Sequence, residues 1–248
     1  MITRIFEDTT FPYFSANIYY LEDSGYKIVI DTGNADLRNK IEKAFLNKGI
    51  EPESIDIVVN THVHYDHCGN NDLFTNAHFF IPKDDWSEKN VMLKMSSLEI
   101  KEYLGHLYKD IPSKNLRTFS RLTANQLGPL DEMSNKLDRT TLLGRNHILT
   151  PNIQLYFCRG GHTSGHLSLI YCDDNRSHSI CGDIFGTADL FDSVNLDNLN
   201  FVLIDKKKFS VNIRKHIDRF DVFYPGHGSK FFKEEYVSIL RKQQISLK

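Results

Sequence analysis

The chain lacks any run approaching the roughly 18 consecutive apolar residues that a membrane-spanning helix needs, so no membrane partner is expected. It lacks a Cys-x-x-Cys pair. Cys68, Cys158, Cys172 and Cys181 stand far apart, which argues against a thiolate zinc knot, and free thiols are the expected state. It lacks an export-like start: Glu7 and Asp8 fall where a secretory signal would continue its apolar core, so a cytoplasmic protein is expected. It also lacks an excess of one charge. Thirty Lys and Arg against 32 Asp and Glu leave a formal net charge of -2, which counts against a long nucleic-acid track though not against a small nucleotide. There is no internal repeat and no low-complexity linker. Hydrophobic residues make up 40% and charged residues 25%, values that exclude a mainly disordered or fibrous chain.

At 248 residues the chain has room for one large domain or two small ones. Residues 16–21 and 26–30 read as strands joined by the turn Glu22-Asp23-Ser24-Gly25. Between residues 35 and 47, Leu37, Ile41, Ala44 and Phe45 recur at helical spacing, and Gly49 is a stop signal. Residues 55–59 are a β-branched run suited to a buried strand, and 77–81 read as another. From 84 to about 145, Leu93, Leu98, Ile100, Leu104, Leu107 and Tyr108 alternate with charge, and Pro112, Gly128-Pro129 and Gly144 punctuate the stretch. This reads as a helical insertion within a single domain over 1–248, because strand patterns resume at 153–158, 167–172 and 179–181. Residues 200–204 are ambiguous, 212–220 and 233–242 read as helices, and 221–224 as a strand. The alternation suits two helix-covered sheets, and an open α/β sheet equally.

Histidine is abundant, with 11 residues, three of them inside the six-residue segment His62-Val63-His64-Tyr65-Asp66-His67. The segment follows an apolar strand and precedes Gly69-Asn70. In extended backbone, side chains at 62 and 64 point to one side, so two imidazoles can reach one metal ion. Where the chain turns, Asp66 and His67 can face a neighbouring ion. Imidazole with carboxylate suits zinc, manganese or ferrous iron.

The segment resembles the signature of the metallo-β-lactamase superfamily, and further elements follow in that family's order. Asp31-Thr32-Gly33 is similar to its Asp-x-Gly turn. Gly161-His162-Thr163-Ser164-Gly165-His166 is similar to its Gly-His-Thr-x-Gly-His element. Cys181-Gly182-Asp183-Ile184-Phe185 is similar to its Gly-Asp element, and Tyr224-Pro225-Gly226-His227-Gly228 to its closing Pro-Gly-His element. The resemblance implies an αββα sandwich of two mixed β-sheets flanked by helices. It implies that His62, His64 and His162 bind a first ion, that Asp66, His67 and His227 bind a second, and that Asp183 bridges both. Two divalent ions are the implied cofactors, zinc first and manganese, cobalt or iron fitting the same donors. His166 would lie beside the ligands, and Asp31 would orient one of them by hydrogen bond, although a turn-forming aspartate fits that position equally well.

Two such ions lower the pKa of a bridging water and supply hydroxide at neutral pH. Asp66, as a ligand, would also carry a proton to the leaving group. The implied activity is hydrolysis of a thioester, lactone or related carbonyl ester, as in glyoxalase II and the acyl-homoserine lactonases. Two departures stand against those named activities. Gly186 lies three residues after Asp183, near where lactonases use a tyrosine, and no basic glutathione-binding pattern is evident. A phosphodiesterase or nuclease of the same superfamily is the alternative, and a mononuclear iron dioxygenase is a third reading. The expected partner is a small-molecule substrate, with a homodimer left open.

The insertion should form the pocket wall. Trp86, Met92, Met95, Tyr103 and Tyr108 could offer surface to an acyl chain, but packing against the body is the expected role for most of them. Phe11, Tyr13 and Phe14 could border the mouth. Cys68 is expected to be a small packing residue, although a redox-sensitive thiol is possible so close to His67. His78, His106, His147, His178 and His216 are isolated, and Lys206-Lys207-Lys208 reads as a solvated face.

Overall fold

Short β-branched and aromatic runs have too little helical periodicity to bury one stripe, so they bury by pairing edge to edge. The computed structural model describes residues 1–8, 15–109, 111–134, 137–173, 175–185 and 203–242. Thr3–Asp8 (β1) pairs antiparallel with Ser15–Asp23 (β2), and β2 with Tyr26–Ile30 (β3). Ile57–Val59 (β4), His78–Pro82 (β5) and Thr140–Leu143 (β6) then add in parallel, giving the order β1-β2-β3-β4-β5-β6. A second sheet holds His147–Thr150 (β7), Ile153–Arg159 (β8), Gly165–Cys172 (β9), Ser177–Gly182 (β10), Val222–Pro225 (β11) and Phe231–Phe232 (β12). Its order is β12-β11-β10-β9-β8-β7, antiparallel except for the parallel pair β10–β11.

Alternation along the strands builds three layers of core. Tyr19, Leu21, Ile28, Ile30, Ile57 and Val59 point between the sheets and meet Leu155, Leu167, Leu169, Ile180 and Val222. The opposite face of the first sheet, with Ile18, Val29, Val58 and Phe79, packs on Ile41 and Phe45 of Arg38–Leu46 (α1). The outer face of the second sheet, with Cys158, Ile170, Cys181 and Phe223, packs on Phe209, Ile213 and Ile217 of Lys206–Arg219 (α6) and on Tyr236 of Lys233–Lys242 (α7). Strands buried on both faces explain the near-continuous apolar runs. The chain therefore adopts two mixed sheets between helical layers, the first of the two architectures the pattern allowed.

Between β5 and β6 lie Lys83–Met92 (α3), Ser97–Leu107 (α4) and Ser113–Ser134 (α5). Ser96 and Glu99 form a reciprocal cap that starts α4. Met92, Ile100, Leu104, Tyr108, Phe119, Leu122 and Leu127 make a core of their own, to which the short turn Tyr65–Cys68 (α2) contributes Tyr65. Two details differ from the sequence reading. Helix α5 continues through Gly128-Pro129, and residues 140–143 form a strand of the first sheet, so the helical stretch ends before 145. Among the described residues no helix is long and apolar enough to cross a membrane. Phe11, Tyr13, Phe14, Gly186 and residues 200–202 lie outside the described residues.

Candidate metal centre

Parallel strands present their carboxyl ends at one edge, where a loop-borne site can form. β3 ends into Asp31, β4 into the His62–His67 segment, β10 into Asp183 and β11 into His227. β9 runs antiparallel to β10, so the loop before it brings His162 to the same edge. The donors thus come from both sheets. His62 lies in a bend just after β4, His64 is extended as the N-cap of α2 at φ -84° and ψ 153°, and the first turn of α2 then swings Asp66 and His67 round.

Three ring nitrogens converge. His62 Nε2 lies 3.0 Å from His64 Nδ1 and 3.2 Å from His162 Nε2, and His162 Nε2 lies 3.0 Å from His64 Nδ1. A second set stands beside it: His227 Nε2 lies 3.3 Å and His67 Nε2 3.8 Å from Asp66 Oδ2. Asp183 stands between the two sets. Its Oδ2 is 3.3 Å from His162 Nε2, and its Oδ1 is 3.5 Å from His67 Nε2 and 3.7 Å from His227 Nε2. All seven residues singled out from the sequence are therefore brought together. His64 and His227 are partly exposed and the other five are buried, so the cluster opens beside those two.

The polar groups behind the cluster fix which nitrogen faces it. Asp31 is buried at φ +58°, a conformation uncommon for any residue but glycine. Its Oδ1 accepts from the Thr61 backbone N–H at 2.7 Å, and its Oδ2 accepts from the Thr61 hydroxyl and from His67 Nδ1–H, each at 2.8 Å. With Nδ1 engaged by Asp31, His67 turns Nε2 to the cluster. His62 Nδ1 is likewise held, 3.1 Å from Thr61 Oγ1. Of the two roles open for Asp31, the orienting one matches its contacts. Thr61 shares that role, and nothing in the sequence beyond its place before His62 pointed to it.

Close approach explains two glycines. At Gly182, φ is +48° and a Cβ would fall 2.6 Å from Thr61 Oγ1; at Gly226 a Cβ would fall 2.0 Å from Asp183 Oδ1. A side chain at either position would push into the cluster.

The electrostatics divide the imidazoles. Burial, reinforced by neighbouring imidazoles, holds His62 and His64 well below the ordinary histidine value. They are neutral and offer lone pairs. Burial also opposes charge on His67 and His227, but the Asp183 and Asp66 carboxylates, with Asp31 for His67, outweigh it and raise both. Burial disfavours the Asp183 carboxylate, yet His67, His227 and His162 hold it far below its usual range.

The donor set fits divalent ions. His67 Nε2 and Asp183 Oδ1 are buried and have no hydrogen-bond partner, a costly arrangement without a cation between them. The nitrogen triad and the mixed Asp/His set each place one donor atom per residue within 4.8 Å of the others. His166 stays outside both sets, stacked on His62 with ring centroids 5.1 Å apart.

Other candidates take structural roles. His216 is buried between Ser168 Oγ at 3.0 Å and the Asn212 carbonyl at 2.9 Å, and His78 reaches Thr141. The buried Cys68 thiol bonds the His64 carbonyl, and burial raises its pKa well above that of a free thiol. Trp86 packs in the core of the first sheet, with Lys89 Nζ 3.5 Å above its ring. Lys207 and Lys208 are exposed at the start of α6. Three contacts had no sequence signal: Tyr108 Oη lies 2.8 Å from His64 Nε2, Asp85 bonds the Val63 N–H, and Gln126 bonds the His64 carbonyl.

A "Probable metallo-hydrolase" of Methanocaldococcus jannaschii is 40% identical over 89 residues, which span 34% of this chain and 44% of that protein. Metallo-beta-lactamase domain-containing protein 1 of Mus musculus is 39% identical over 57 residues, 23% of this chain and 22% of that protein. The chain therefore matches less than half the length of these relatives. Among solved structures, a metallo-beta-lactamase-like protein of Thermotoga maritima superposes with a TM-score of 0.63 at 20% identity, covering 93% of this chain and 98% of that one. AidC, a dizinc quorum-quenching lactonase solved with a product, superposes at 0.64 and 17% identity, covering 88% and 74%. The sequence model of the metallo-beta-lactamase superfamily matches residues 12–227, most of the chain and every element of the cluster, and the chain belongs to that superfamily.

Proposed function

We propose that the chain is a metal-dependent hydrolase that holds two divalent ions, zinc first, and opens a lactone or cleaves a thioester or related carbonyl ester. In this reading His62, His64 and His162 would hold one ion, Asp66, His67 and His227 would hold the other, and the Asp183 carboxylate would offer an oxygen to each set. The observation that carries it is the Asp183 carboxylate, with one oxygen 3.3 Å from His162 Nε2 and the other 3.5 Å from His67 Nε2. When bound, such ions supply a hydroxide nucleophile from water and polarise the substrate carbonyl.

The chain's own residues supply the rest. Asp31 and Thr61 hold the imidazoles in the tautomer that keeps their lone pairs inward. Asp66, buried 3.3 Å from the partly exposed His227 Nε2, is the residue this reading assigns to carry a proton to the leaving alkoxide or thiolate. The cavity beside His64 is lined by Met92, Leu104, Leu107 and Phe119 among others. The dizinc lactonase of similar fold supports the choice of a lactone. Assembly of Asp66, His67 and His227 in one cluster weighs against a mononuclear iron dioxygenase, which would leave that set without a role.

Metal analysis of the purified protein, followed by a panel of lactones, thioesters and phosphodiesters, tests the proposal. Near two equivalents of zinc with lactone or thioester turnover supports it. Turnover of bis-para-nitrophenyl phosphate alone, or one equivalent of iron with oxygen uptake, overturns it.

A further inference from the structure

The helical stretch between β5 and β6 grips the His62–His64 segment with one residue from each of its three parts. Asp85, in the first turn of α3, is buried; its Oδ2 accepts from the Val63 N–H at 3.0 Å and its Oδ1 from the Gly165 N–H at 2.8 Å. Val63 separates His62 from His64, and Gly165 follows His162 by three residues, so one carboxylate ties together both loops that carry the nitrogen triad. Tyr108, the C-cap of α4, places its hydroxyl 2.8 Å from His64 Nε2. Gln126, on α5, donates from Nε2 to the His64 carbonyl at 3.3 Å. The rings of Tyr108 and Phe119 stand 5.8 and 5.3 Å from the His64 ring.

His64 turns Nδ1, not Nε2, toward the triad. For Nδ1 to carry a lone pair, Nε2 must carry the ring proton, and that N–H needs an acceptor placed to hold the ring in this orientation. Tyr108 Oη, 2.8 Å from Nε2, stands where it can accept from that N–H. Asp85 and Gln126 tie down the backbone on either side, and the Tyr108 and Phe119 rings flank the imidazole.

We propose that Tyr108 is a positioning residue for His64, and that with Asp85 and Gln126 it makes the helical stretch a clamp that preorganises the three-histidine half of the centre. The inference rests on the metal reading above and extends it. Tyr108, Asp85 and Phe119 also line the small cavity beside His64.

Cobalt titration of the metal-free full-length protein, read by visible absorption and by competition with a chromophoric chelator, tests the clamp in the parent, in Tyr108→Phe and in Asp85→Asn. Tyr108→Phe keeps the ring contacts and removes only the acceptor. It is expected to bind one cobalt as the parent does and the other about 10–100-fold more weakly, the range seen when a ligand loses its outer partner, with a changed absorption band and an unchanged melting temperature of the metal-free protein. Asp85→Asn is expected to weaken the same ion; should it not fold, Tyr108→Phe decides alone. Two affinities and a spectrum equal to the parent's in Tyr108→Phe overturn the clamp and leave the metal reading standing. Equal weakening of both ions with a lowered melting temperature also overturns it, because that is a general structural effect. A parent that takes up no cobalt overturns both.

Discussion

Replacing Asp31 with Asn tests how the cluster is aimed without changing its shape. Asparagine tolerates positive φ, so the backbone at +58° is not the variable. The new amide can keep its oxygen toward the Thr61 N–H, but its NH₂ then meets two donors, the Thr61 hydroxyl and His67 Nδ1–H. The hydroxyl can rotate. The imidazole can adapt only by moving its proton to Nε2, which places a hydrogen where an ion would sit. Two hydrogen bonds to a charged acceptor contribute about 1.5–3 kcal/mol each, so their loss costs about 3–6 kcal/mol. Part is offset, since burial already raises the pKa of Asp31 despite His67 and Thr61, and the variant no longer buries a charge. The expected net loss is therefore at the low end, about 3 kcal/mol, measured by urea unfolding of the metal-free protein. One ion, the one assigned to His67, should be held about 10–100-fold more weakly in chelator competition. Parent-like affinity for both ions would refute the argument, because it would mean that the His67 tautomer does not depend on Asp31.

Gly226→Ala should abolish uptake of at least one ion, since the added Cβ would lie 2.0 Å from Asp183 Oδ1; metal content after dialysis checks this. Burial lowers the pKa of His216 to about 4, so its stabilising effect is complete above the unfolded value near 6.5 and is lost as pH falls toward 4. Between those limits the parent should lose about 3 kcal/mol more than His216→Gln in urea unfolding, and equal slopes would contradict the burial argument. Adding a strong chelator to the metal-loaded protein should lower its melting temperature, because ions that bind only the folded state add to its stability; scanning calorimetry with and without chelator reads the shift.

The candidate ligand residues were legible because the chemistry is local in sequence. An extended segment with imidazoles two apart announces a shared face, and the later motifs each combine a donor with the glycine that lets it approach. Tyr108 was not legible. It was noted as apolar wall, and only folding brings its hydroxyl to His64, 44 residues away. Asp85 reads locally as an acid in a helix's first turn, a position that needs no further explanation. Strands β1 and β7 went unread because they are edge or near-edge strands with polar residues, and β1 joins β2 with irregular register. Helix α5 outlasts the Gly128-Pro129 signal because Phe119, Leu122 and Leu127 have a core to bury in.

Because each sheet contributes donors at one shared edge, the centre also spans a seam between two halves of the chain. Among the described residues, the backbone bonds that cross that seam include Leu167 N–H to the Thr61 carbonyl at 2.7 Å and Asn17 N–H to the Gly226 carbonyl at 2.6 Å. Cations lodged there would rivet the halves. Amide exchange at Asn17 and Leu167 should therefore slow on loading far more than at strand centres remote from the edge, making those two protons gauges of how tightly the sandwich is shut.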